Sequence, residues 1–179
     1  MKTLISVIIY FNVLLFISCN NADSTKAENN NKDAPQQPTA APEVRIRNNI
    51  KLDTKGVKVS QAFLLYEDGK LVPENNETSV GEPLKLRLVI DGGWQQKEGK
   101  VSLGASERIE TSDGKLVLDE KDLFENMTVD AEDAKLLSLT AVISRLDMLY
   151  DYFLVSFRVW DKYGTGEIKG SYKLYIKAS

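Results

Sequence analysis

The feature that most constrains this chain is an alternation of apolar and polar residues at a period of two. Leu84, Leu86, Leu88 and Ile90 share one parity, with Lys85 and Arg87 between them. The same pattern runs through Phe153, Val155, Phe157 and Val159, and again through Tyr172, Leu174 and Ile176. Successive side chains of a strand point to opposite faces, so this pattern predicts strands with one buried face. Val44, Ile46, Ile50 and Leu52 also share a parity, which predicts a single strand at the start of the domain. Val57-Lys58-Val59 restarts the alternation and Ala62 to Tyr66 continues it, with a break in parity at Ser60-Gln61 that predicts a bulge. Leu136 to Ile143 reads as a strand, with a helix as the alternative.

Turn residues separate these runs. Lys55-Gly56, Asp68-Gly69, Asp91-Gly92-Gly93, Asp113-Gly114 and Asp161 to Gly166 are such breaks, and Pro73 to Asn76 reads as loop. Val101 and Leu103 predict a short strand after Gly99, and Leu116 to Leu118 another. Leu146, Leu149 and Tyr150 have the spacing of one helical turn. Seven or eight short strands between turns predict an all-β, antiparallel β-sandwich over residues 44–179. In size and strand number this is similar to an immunoglobulin-like domain, with Tyr152 as a candidate tyrosine corner but without the usual cysteine pair.

The residues missing from the chain exclude several chemistries. It has no histidine and one cysteine, Cys19. Ser-His-Asp and Cys-His catalysis are ruled out, and so is a Cys/His zinc site. The formal charge is −3, which gives no basic excess for a nucleic-acid partner. The sequence therefore predicts no enzyme, no catalytic residue, no cofactor and no metal site. The acidic segment 119–133 leaves calcium an open question, because it matches no EF-hand spacing.

The N-terminus predicts where the domain is held. Met1-Lys2 is followed by an apolar stretch from Leu4 to Ile17, then Ser18 and Cys19. Fourteen helical residues reach about 21 Å, short of a hydrocarbon core of about 30 Å. A charged start, an apolar middle and a small residue at the boundary form a secretory signal. Phe16-Ile17-Ser18-Cys19 resembles the lipobox of bacterial lipoproteins, with Phe16 where Leu is usual. That resemblance implies residues 1–19 as signal peptide and Cys19 as a mature N-terminus carrying diacylglycerol and an N-acyl chain. Asn20, rather than Asp, implies the outer membrane of the cell envelope. Residues 20–43 are polar and predict a disordered linker.

Two kinds of ligand fit such a tethered module: an envelope protein in an assembly, or a glycan at the cell surface. Trp94 follows Gly92-Gly93 in what reads as an exposed loop, and is the candidate ligand contact. Trp160 and Tyr163 read as packing residues.

Overall fold

The computed structural model describes residues 44–177. The expected signal peptide, Cys19 and the linker lie outside the described residues. The strongest alternation gives the central strands. In β5 (Leu84–Gly92) the four residues Leu84, Leu86, Leu88 and Ile90 are all buried. It pairs antiparallel with β3 (Lys58–Tyr66), setting Ala62 opposite Leu88 and Leu64 opposite Leu86. On its other side lies β9 (Leu136–Ala141), with Leu137 opposite Leu88 and Leu139 opposite Leu86. β1 (Arg45–Ile46) adds a short parallel edge to β3. These four strands form sheet A, in the order β1-β3-β5-β9.

Sheet B takes the other half of the core. β10 (Phe153–Asp161) runs between β6 (Lys100–Thr111) and β11 (Glu167–Ile176), antiparallel to both. β2 (Lys51–Lys55) closes one edge and β7 (Leu116–Glu120) the other, giving the order β2-β11-β10-β6-β7. Two short pieces attach to this sheet: β4 (Glu77–Thr78) on β11, and β8 (Thr128–Asp130) on β6. A single 3-10 turn, Asp133–Lys135, precedes β9. The chain is thus an antiparallel, immunoglobulin-like β-sandwich, as its alternation predicts. Eight of its strands have five residues or more, and the remaining pieces are two or three residues long.

The inner faces meet in a core of aliphatic and aromatic side chains. Leu64, Leu84, Leu86, Leu88 and Ile90 come from sheet A, and Leu103, Ile109, Val155, Ile168 and Leu174 from sheet B. The bulge predicted at Ser60-Gln61 is present, as a register shift between Val59 and Gln61. The turn at Asp68-Gly69 is present too: Gly69 has φ +82°, and the Tyr66 amide donates to Lys70 O at 2.9 Å.

Four local expectations are corrected. The stretch from Val44 to Leu52 is not one strand. The chain turns at Asn48 and Asn49, which have φ of +58° and +52°, and passes from sheet A to sheet B. The segment at Val101 is not short, because β6 runs on through Gly104 to Thr111. Leu146 to Tyr150 forms no helical turn; it is an irregular loop with Leu149 79 % exposed. Tyr152 is no tyrosine corner. Its ring lies 6.4 Å from that of Tyr175, on the outer face of sheet B, under the Lys173 ammonium at 3.7 Å.

Candidate functional site

Trp94 is not where the sequence placed it. It is only 9 % exposed and belongs to the core. Two glycines fold it inward. Gly93 has φ +109°, and a Cβ there would run into the Gly56 carbonyl. Gly166 leaves space for the indole, since a Cβ at that position would sit 3.1 Å from Cε3 of Trp94. The indole Nε1 is buried without a hydrogen-bond partner. A ring closed in this way offers no face to a ligand from solution.

The aromatic surface lies instead on the outside of sheet B. The outward positions of β10 are Leu154, Ser156, Arg158 and Trp160, and Tyr152 just before the strand shares their side. Across the sheet, Trp160 stands level with Gly104 on β6 and Glu167 on β11. Gly104 explains how the indole lies: a Cβ at that position would overlap the ring, so the indole packs down on bare backbone. The Arg158 guanidinium is 5.0 Å from the ring centroid, within cation–π range. Arg158 is in turn held by Glu167, Nε to Oε1 at 2.5 Å, and Lys169 binds the other oxygen at 2.7 Å. Hydrogen bonds from Lys169 and then Arg158 hold the Glu167 carboxyl below its ordinary value.

A second aromatic cluster sits at the opposite end of the same face. Tyr152 and Tyr175 meet edge to face, and beside them opens a cleft of about 520 Å³. Its lining includes Lys51, Asn75, Glu77, Ser171, Lys173 and Tyr175. Tyr152 and Trp160 are eight residues apart on one extended segment, which places the two clusters about 26 Å from each other. The charged residues between them are mixed in sign: Arg108 pairs with Glu110 at 2.8 Å and reaches Asp119 at 3.8 Å. These surface pairs contribute little stability, but they fix a lattice of donors and acceptors around the rings.

The acids of the turn at Asp161 and of segment 119–133 are engaged within the fold. Asp161 accepts from the amides of Gln95 at 2.6 Å, Tyr163 at 2.8 Å and Gly164 at 3.0 Å. It is a turn organiser that also fastens the loop after Trp94. In the acidic segment, Asp122 binds the amides of Ala105 and Phe124 and the Lys162 ammonium. Asp119, Asp130 and Glu132 face Lys121, Lys100 and Lys135. Among the described residues, no three acids converge on one point.

Sequence reasoning missed two buried features. Asn48 is fully buried, and its Nδ2 donates to Val72 O, Pro73 O and Asn76 Oδ1 at 3.0 to 3.1 Å, while its Oδ1 accepts from the Leu64 amide at 2.9 Å. Asn76 then donates to Asn48 O and to Lys173 O on β11. Glu107 is the other: 2 % exposed, with one oxygen unpartnered, and pushed up to about 8 by burial. Tyr172 lies near enough for that charge to matter. Its phenol is raised well above its ordinary value, first by burial and then by Glu107.

No family model matches the chain, and no curated protein matches it. Among solved structures it is similar to the C-terminal domain of wzt, at 15 % identity and a TM-score of 0.43, over 74 % of this chain and 81 % of that one. Among the described residues, no helix is long and apolar enough to cross a membrane.

Proposed function

We propose that this protein is a lipid-tethered, non-enzymatic binding module of a bacterial envelope, and that its ligand is a glycan bound on the outer face of sheet B. The observation that carries the glycan reading is the Trp160 indole laid on Gly104 in a field of charged and polar side chains. A ring fixed in this way loses little rotamer freedom on binding. Its outer face, now under the Arg158 guanidinium, suits the C–H face of a pyranose that displaces Arg158 to the rim, where Arg158, Glu167 and Lys169 bond hydroxyl groups. The Tyr152–Tyr175 pair and the cleft beside it provide a second contact for a longer chain. Glu167 favours this role over acid catalysis, because two cations hold it ionised. The tether rests on the sequence: Cys19 is the only cysteine and stands where the lipobox resemblance needs it.

A glycan array of the envelope form tests the ligand. Trp160→Ala is expected to lower affinity at least tenfold, with β-sheet content and Tm little changed. Unchanged binding would remove Trp160 from the site, and an array with no binder would remove the glycan. A protein partner is the second reading, favoured by the exposed apolar loop at Met148 (58 %) and Leu149 (79 %). Cross-linking from Met148→Cys in envelope membranes distinguishes it.

A further inference from the structure

The outer face of sheet A has a different chemistry from that of sheet B. Three cross-strand rows form its middle: Arg45, Gln61, Val89 and Leu136; Phe63, Arg87 and Ser138; Leu65, Lys85 and Thr140; beyond them on β5, Asp91 pairs with Lys58 at 3.4 Å. No position in the three rows is acidic, in a chain with more acids than bases. Leu136 is 52 % exposed, and Phe63, Leu65 and Val89 are half-buried on a face that points away from the core. Lys85 and Arg87 form no ion pair among the described residues. On sheet B, by contrast, Arg108, Arg158 and Lys169 all face carboxylates.

A face of cations among apolar side chains selects its occupant. A second copy docked symmetrically would bring two such cationic faces together with no carboxylate in the three rows to pair with, and like charges repel. An anionic surface with an apolar layer beneath it satisfies both halves. The path of the chain agrees. Residue 44, the first described, leads into β1, the edge of this same sheet. Cys19 precedes it by 25 residues in the sequence.

The geometry points to the outer face of sheet A as a docking surface for anionic phospholipid headgroups. Lys85 and Arg87 meet the phosphates, while Phe63, Leu65, Val89 and Leu136 rest at the headgroup boundary. Docked this way, the opposite face, with Trp160 and Tyr152, is turned away from the bilayer. The inference rests on the lipid anchor for proximity: each cation near an anionic surface contributes only about a fivefold gain. The anchor makes that sufficient by keeping the local concentration high.

The test uses the full acylated chain in vesicles of phosphatidylcholine, with or without phosphatidylglycerol, and a quencher carried on the lipid. With Cys19 acylated, an introduced cysteine is the one free thiol, so Ser138→Cys labels sheet A and Ser156→Cys labels sheet B. In anionic vesicles the Ser138 label is expected to be quenched several-fold more than the Ser156 label. The difference should vanish in pure phosphatidylcholine, in high salt, and in the Lys85→Glu/Arg87→Glu double variant. Equal quenching of the two labels overturns docking. So does quenching indifferent to phosphatidylglycerol, or protection of Ser138 that arises only on adding an acidic protein. Failure of the anchor reads differently, as dye on Cys19 itself. In that event, co-sedimentation of the secreted form with anionic but not neutral vesicles upholds the face, and its absence overturns it. Circular dichroism of each variant checks that the sandwich is intact.

Discussion

Glu107 makes the stability of this sandwich fall as pH rises, and Glu107→Gln should abolish that fall. The carboxyl sits on an inward position of β6 between Ala105 and Ile109, away from water. Burial lifts it from an ordinary 4.5 to about 8. In the unfolded chain it ionises near 4.5, so between these values the folded state holds a proton that the unfolded state has lost. Stability must then decline with pH across that window: it is fully present below about 4.5 and lost as pH rises through about 8. Ionising the carboxyl in the fold near 8 rather than near 4.5 sets a ceiling near 5 kcal/mol. Some relaxation around the charge brings a working expectation to about 3 kcal/mol at pH 8. For a domain of this size that is roughly 10 °C in Tm. Glutamine keeps the volume and cannot ionise. Thermal unfolding of both proteins from pH 5 to 8.5 is the assay, read as the difference in Tm at each pH. The curves should nearly coincide at pH 5 and separate steadily, with the Glu107→Gln variant the more stable protein at pH 8. Parallel curves over the whole range would refute the reasoning, because they would mean that Glu107 ionises as freely folded as unfolded.

Two further changes probe the packing. Asn48→Ala removes four hydrogen bonds, three of them buried, and puts a residue without a bonding side chain at φ +58°. A loss of about 3 to 4 kcal/mol in urea unfolding is expected, and a loss under 1 kcal/mol would show that the clasp is dispensable. Trp94→Phe removes an indole N–H that is buried without a partner. The relief offsets much of the lost contact, so stability should change by less than about 1.5 kcal/mol, and glycan binding not at all; loss of binding at full stability would return Trp94 to the site.

The strands that bury one face completely were plain in the sequence. In β5 Leu84, Leu86, Leu88 and Ile90, and in β10 Phe153, Val155, Phe157 and Val159, are apolar and buried, and nothing competes with that signal. Asp68-Gly69 and the break at Ser60-Gln61 were legible because turn and bulge chemistry is local. What escaped depends on distant partners. The parity from Val44 to Leu52 continues unbroken across Asn48, while the turn there is held by Val72, Pro73 and Asn76, 24 to 28 residues away. Gly104 reads as a strand breaker, yet it gives Trp160 its bed from the neighbouring strand. The two tryptophans show the same limit. A glycine pair before Trp94 suggests an exposed tip, but those glycines turn the ring inward, and the space it fills was provided by Gly166, far along the chain.

The Asn48–Asn76 clasp also bears on mechanics. Tension on the chain ahead of Val44 would first peel the two residues of β1 from β3, a short seam with little resistance. It would then meet Asn48, bonded to the 72–76 loop and to Leu64, with Asn76 passing the load to Lys173 on the last strand. A domain pulled from residue 44 would therefore yield a few residues of slack and stop, leaving both faces of the sandwich undisturbed.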